Sequence, residues 1–448
     1  MRQNRRWFLT ALATTSVASL AGCSDSGSDA SYPFQQMAKL AASDGDSEDR
    51  FGTSVAVASE GTTAIIGTPG DGTAAFMDDS TDSDDSPIGI NHGSAYVFKR
   101  DDGDWTQQTK LIAEDGEMGD RFGDSVTISD DGTTALIGAT GSVPYSGSSD
   151  RTGVAYVFDN AGGTWTQQAT LVPDGALDES AFGGSLALSE DGTTAVIGAV
   201  EDGDVANERQ GSAYAFELAD GEWTQQARLT ADDGEHQDRF GSSVTVATDG
   251  TTAIIGAYGD EGPNGDESGS AYVFQRAGGT WSQQSKLAAD DSDESDRFGM
   301  SVAVSGDGTV AIIGATGKDN PEGEGSGSGY VFSRRDGTWT QRANFVAEDA
   351  SKRYFGQSVA MSSTGTTAIV TAYAGDAQSE EGEESAHVFD GSDNEWSEQA
   401  TLTAEDGDVG DRFGGSAALS ADGTTVVVGA ETDAEPNGKS GGSAYVFE

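Results

Sequence analysis

The sequence predicts an all-β fold: a seven-bladed β-propeller of four-stranded antiparallel blades. Three observations predict it. Phe-Gly recurs at Phe51, Phe122, Phe182, Phe240, Phe298, Phe355 and Phe413, at steps of 57 to 71 residues. Each copy is followed by the same order of strand-like segments and turns. No stretch of the repeat region carries a helical period.

Each unit reads as four strands. The first, as in FGSSVTVA (Phe240–Ala247), sets Gly and Ser beside β-branched residues, which suits strands that crowd together. Its turn is Asp-Gly in most copies (Asp131-Gly132, Asp191-Gly192, Asp307-Gly308, Asp422-Gly423), a strong hairpin signal. The second and third strands, TTAIIG and SAYVF, are nearly continuous apolar runs and imply burial on both faces. A tight turn (RAGG, RDDGD) leads to a fourth strand in which Trp and Leu alternate with Gln and Lys, as on a half-wet edge.

The repeat is out of phase with the blades. Pro33–Leu40 is the counterpart of the fourth strand at Trp105–Leu111 but has no first three strands before it. Gly442–Phe447 is a third strand with no fourth after it. Pairing of these N- and C-terminal strands is therefore expected to close the ring, because open edges would leave backbone groups unpaired. In such a blade the loops after strands two and four share one face, and the two hairpins share the other.

The composition bounds the function. The 448 residues carry 76 Asp+Glu against 24 Lys+Arg, a formal net charge of −52, and only seven of the basic residues are lysine. Such a chain does not bind nucleic acid or anionic lipid by charge. Acid-rich, lysine-poor composition resembles that of proteins from salt-loving archaea. In near-molar salt the Debye length falls to roughly 3 Å, and dense carboxylates cease to repel over useful distances.

Residues 1–22 read as an export signal. Arg5 and Arg6, followed by Trp7, Phe8 and Leu9, resemble the twin-arginine signal, and Leu20-Ala21-Gly22-Cys23 resembles a lipobox. Cys23, the one cysteine, is then a lipidation site. Residues 23–32 form a polar tether, and 33–448 form the propeller.

Phe-Gly followed about fifteen residues later by Ile66-Gly67-Thr68-Pro69, or by Gly-Ala as at Gly138-Ala139 and Gly256-Ala257, resembles the FG-GAP repeat of the integrin α-subunit propeller. The resemblance implies seven blades, an extracellular location and binding to protein or glycan partners. In integrins several copies also hold calcium in the first hairpin. The hairpins here, such as SDDGTT (Ser129–Thr134), lack that loop's opening and closing aspartates, so the integrin calcium sites are not carried over.

Candidate sites remain in the acidic connectors before Phe-Gly. Asp44, Asp46 and Asp49 in one, and Asp290, Asp293 and Asp296 in another, could enclose a hard cation such as Ca2+. The Asp-Arg pairs there could equally serve turns or blade-to-blade ion pairs. Two copies break the pattern (Glu179-Ser180-Ala181 and Lys352-Arg353-Tyr354), so no site is needed in every blade. The first blade carries a long insert containing Phe76 and Met77, a candidate partner contact. The three histidines fall in different blades, and no Ser-His-Asp spacing or metal motif stands out. The expected protein is a monomeric, non-catalytic, lipid-anchored surface binding or adhesion module. The alternatives are a polysaccharide-active enzyme and an envelope component without a discrete ligand.

Overall fold

The computed structural model describes residues 34–72, 92–141, 152–175, 180–203, 209–262, 265–319, 325–347, 354–373, 384–391, 395–434 and 441–448. Those residues form seven four-stranded antiparallel sheets and no α-helix. Blade one contains Ser54–Val57, Thr63–Thr68, Ser94–Asp101 and Asp104–Leu111, hydrogen-bonded in that order. Blades two to six repeat the scheme. Blade seven is composite: Phe413–Leu419, Val426–Ala430 and Ser443–Phe447, completed by Gln36–Leu40 from the other end of the chain. Gln36 lies opposite Phe447 and Leu40 opposite Ala444, so the expected closure is the one observed.

The first strands of successive blades touch one another around the axis, and burial follows the strand order. The second strands are buried along nearly their whole length, whereas the fourth alternate exposed and half-buried residues up to a final buried Leu or Phe. Between blades, the Phe of each Phe-Gly is fully or nearly fully buried. In blades one to five and seven its ring packs against the Tyr and Phe of the same blade's third strand, as Phe240 does on Tyr272 and Phe274. Each fully buried ring of this kind contributes roughly 2–3 kcal/mol by apolar burial.

The glycines mark the closest approach between blades. A Cβ on Gly256 in the second strand of blade four would run into the carbonyl of Gly299 in blade five. Beside it the Ser243 hydroxyl donates to that same carbonyl at 2.9 Å. The Ser-to-Gly bond recurs at six of the seven seams, from Ser54 to Gly123, Ser125 to Gly183, Ser185 to Gly241, Ser243 to Gly299, Ser301 to Gly356 and Ser416 to Gly52. It gives Phe-Gly-x-Ser its meaning: the serine staples one blade to the next.

Two hairpins differ in kind. The turn between strands three and four in blades one to five is the two-residue primed type, with both central residues at positive φ, as at Asp102 (52°) and Gly103 (94°). The Asp-Gly turn between strands one and two is longer. Ser129 accepts from Gly132 and from Thr134 across a loop in which Gly132, not Asp131, takes positive φ. Asp131 instead accepts hydrogen bonds from Ser129 and from both the N–H and the hydroxyl of Thr133. These hairpin tips are joined around the axis by six backbone bonds, from Ser59 through Asp130, Glu190, Thr248, Gly306 and Ser363 to Ala421.

Candidate functional site

The loop face is where the units differ. From the second to the third strand the connection spans 12 residues in blades three to seven, 14 in blade two and 25 in blade one. Phe76 and Met77 lie in the blade-one connection, outside the described residues, as do Arg5, Arg6 and Cys23. Among the described residues, three of the five exposed large apolar side chains (Ile112, Met118 and Val172) sit on connectors flanking blade two, on the same face.

Beneath this face lies a polar cluster that recurs from blade to blade. In blade one the Tyr96 hydroxyl is 2.9 Å from Asp44 and 3.0 Å from Asp71. Lys110 from the fourth strand bridges the same two carboxylates and lies over the Tyr96 ring. Blade four repeats this with Tyr272, Asp233, Asp260 and Lys286, and blade seven with Tyr445, Asp406, Asp433 and Lys39. Blade three has Asp202 with Arg228. Blade five reverses the arrangement: Lys318 takes the loop aspartate's position, and Asn344 takes that of the strand lysine. Lys318 there meets Asp296 at 3.0 Å. Blades two and six place Thr170 and Thr401 where the lysine would be. The compensation follows from cost, since an unpaired buried charge is expensive and a matched pair is not.

This geometry accounts for the carboxylates singled out in the connectors. Asp44 accepts from Lys110 and Tyr96, which hold it below the usual carboxylate range against the opposing effect of burial. Asp49 accepts the Asp46 N–H at 2.6 Å and closes the turn, as Asp296 does for the Asp293 N–H at 2.7 Å. Burial pushes Asp49 up to about 6 and its counterpart Asp238 to about 7, with Asp71 and Asp260 adding repulsion. Asp290 donates its backbone N–H to Gln341 of the neighbouring outer strand. Asp293 lies 3.5 Å from Lys318. The arginines of the Asp-Arg pairs mostly bind within their own blade, Arg121 to Asp124 and Arg412 to Glu431; Arg297 reaches Glu267 of the preceding blade at 3.8 Å. That differs from the blade-to-blade pairing considered from sequence. The residue before each Phe-Gly is left-handed, from Arg50 (59°) to Arg412 (60°), including Ala181 and Tyr354.

In the Asp131 hairpin and in the connector clusters of blades one and five, the carboxylates already have partners within the chain. The Asp131 carboxylate is taken up by its own turn. In the connector clusters a lysine ammonium already stands among the oxygens. Among the described residues no group of three or more His, Cys, Asp or Glu is arranged to hold a metal ion.

One of the three histidines sits in a Ser-His-Glu arrangement. The His387 ring bonds Ser385 Oγ through Nε2 at 3.0 Å and Glu398 through Nδ1 at 2.8 Å. This is the order of a hydrolytic triad. Yet Ser385 is fully buried, His387 occupies the core position of the tyrosine in the other blades, and its ring packs edge-on to Phe355. As placed, the serine offers no surface to a substrate.

A closed ring of seven four-stranded blades, with hairpins on one face and unequal loops on the other, is a β-propeller, a fold that fits a ligand-binding or adhesion-type module. The chain belongs to the FG-GAP repeat family, which it matches at residues 34–98, 105–158, 165–216, 223–274, 281–332, 339–389 and 396–447. No curated protein matches it.

Proposed function

We propose that the protein is a cell-surface binding module, anchored through a lipid on Cys23, that meets an extracellular protein or glycan with the loop face of blades one and two. The observation that carries this reading is the inequality of the loops: five connections share one length, and the two longer ones are adjacent. The exposed Ile112, Met118 and Val172 lie on the connectors beside the same two blades. The described chain begins on the opposite face, where Gln35 pairs with Glu448, so a tether entering there leaves the loops free.

Pull-down from extracellular material with the intact propeller and with a variant lacking residues 73–90, which keeps Asp71 in its cluster, tests the reading. Recovery of the partner should fall at least tenfold in the variant, and substitution of Ile112 and Met118 by serine should weaken it further. Equal recovery would remove the loop face of these blades from consideration. Mass spectrometry of the mature N-terminus tests the anchor, with a lipid-modified Cys23 expected.

A further inference from the structure

One of the seven seams is built differently. At six of them the Phe-Gly phenylalanine N–H donates to a backbone carbonyl of the preceding blade, as Phe122 does to His92 and Phe298 to Ser268, both at 3.0 Å. At the seam between blades six and seven, the Phe413 N–H donates to the Glu384 carboxylate, at 2.7 Å. Glu384 stands where the other blades carry glycine (Gly93, Gly153, Gly211, Gly269, Gly327 and Gly442). Thr371 likewise replaces the second-strand glycine. Ser358 does not staple to Gly414 but accepts from the Ala417 N–H at 3.1 Å. A Cβ on Gly414 would clear the Ser385 carbonyl by 3.2 Å, further than at any other seam.

We propose that Glu384 is a proton-responsive latch: its charge state sets how firmly blade seven, with the closing N-terminal strand, is held against blade six. A carbonyl cannot titrate near neutrality, but a carboxylate can. Glu384 is 9% exposed, and its Oε1 has no hydrogen-bond partner among the described residues. The N–H groups of Gly410 and Arg412 also face the carboxylate. Among the described residues, the charged and titratable groups around it are Asp411 and Arg412 on the connector and Tyr373 after the second strand, with Glu431 and Tyr354 behind them. His387, two residues along the strand, is engaged with Ser385 and Glu398. Burial, with Asp411 adding repulsion, pushes Glu384 up to about 7. The effect reaches the closing strand: Asp411 lies in the field of Asp433 and Lys39, and Lys39 pairs with Asp433 at 2.8 Å.

The sign follows from linkage. Opening the seam returns Glu384 to water and to its ordinary value of 4.5, so the closed seam binds the proton more tightly than the open one. Acidification from pH 8 to pH 6 should therefore lower the opening equilibrium about tenfold. Hydrogen exchange of residues 408–416 in the full chain, corrected for intrinsic rates, reads this directly. Residues 354–361, whose strap is the Ser326 carbonyl, serve as the control. Glu384→Gln should show the protected level at both pH values. The paired Glu384→Gly and Thr371→Gly changes, which restore the common seam, should abolish the pH dependence. A wild-type seam whose corrected exchange is the same at pH 8 and pH 6 overturns the proposal, even if neither variant folds. So does a Glu384→Gln protein with the wild-type pH response.

Discussion

The Ser416 hydroxyl donates to the Gly52 carbonyl at 2.9 Å, although 364 residues of chain separate them. This is the same staple that joins neighbouring blades elsewhere, used here to join the last blade to the first. Around it, Lys39 on the N-terminal strand pairs with Asp406 and Asp433 of the C-terminal blade, and Glu405 donates its N–H to Gln36. Arg100 of blade one pairs with Glu448. Closure is thus a set of ordinary seam contacts made between the two ends of the chain.

Removal of Pro33–Ala41 should therefore destabilise the whole ring. The third strand of blade seven would lose its partner, and Asp433, almost wholly buried, would lose Lys39. Thermal unfolding should shift down by more than 10 °C and lose cooperativity. Ser416→Ala alone should cost only about 1 kcal/mol, the worth of one hydrogen bond. Unchanged melting of the truncated chain would refute closure by these strands.

Gly256→Ala should be far worse than a typical glycine replacement in a strand. The added Cβ meets the Gly299 backbone, which cannot move without parting blades four and five. The expected loss is roughly 1–3 kcal/mol by urea denaturation. Thr371→Gly, at the one seam that holds a side chain there, should cost about 1–2 kcal/mol for another reason, since the Ser358 N–H loses the Thr371 hydroxyl it donates to at 3.0 Å.

The internal charge pairing predicts a compensated swap. Lys286→Met should destabilise by about 3 kcal/mol, because Asp260 would remain buried without its cation. The double change Asp260→Lys with Lys286→Asn imports the blade-five arrangement into blade four and should recover most of that loss. Failure of the double variant to exceed the single one in stability would show that the ion pairs are incidental.

Asp238 fixes a direction for the pH dependence of stability. Its carboxyl is pushed up to about 7 in the fold, above its ordinary value of 3.8. The folded state therefore gains stability as pH falls from about 8 towards 4, and this contribution is lost as pH rises through 7. Asp233 and Asp406 are lowered by Lys286 and Lys39, and their contribution is present above 3.8 and lost in stronger acid. The melting temperature should thus peak in mildly acidic buffer, and Asp238→Asn should flatten the rise between pH 8 and pH 5.

Salt should act on the molecule as a whole. With a formal net charge of −52, self-repulsion opposes the compact state in dilute buffer. The melting temperature should climb steeply from dilute to multimolar KCl as screening shortens. A flat profile would separate the acidity from any adaptation to salt.

The repeat of Phe-Gly, the apolar second and third strands and the displaced fourth strand at Pro33–Leu40 determined the blade number, the strand order and the closure. They could do so because strand period, turn chemistry and copy number are local properties written seven times. The polar clusters were half legible. Aligning the copies sets Asp260 with Lys286 beside Lys318 with Asn344, but nothing local says that these residues meet, since 26 positions separate each pair and a tyrosine hydroxyl completes the contact. Asp44, Asp49 and Asp296 looked like cation ligands because carboxylates at short spacing have two uses, and only folding shows which is taken. Lys110 and Lys318 reach Asp44 and Asp296 from elsewhere in the blade, while the N–H groups from which Asp49 and Asp296 accept lie three residues away in the same connector. The Glu384 seam was likewise set by tertiary structure: a glutamate in place of a glycine is only a variant letter until the ring brings it against the Phe413 N–H of the next blade, in a space closed to water, where its charge has a cost.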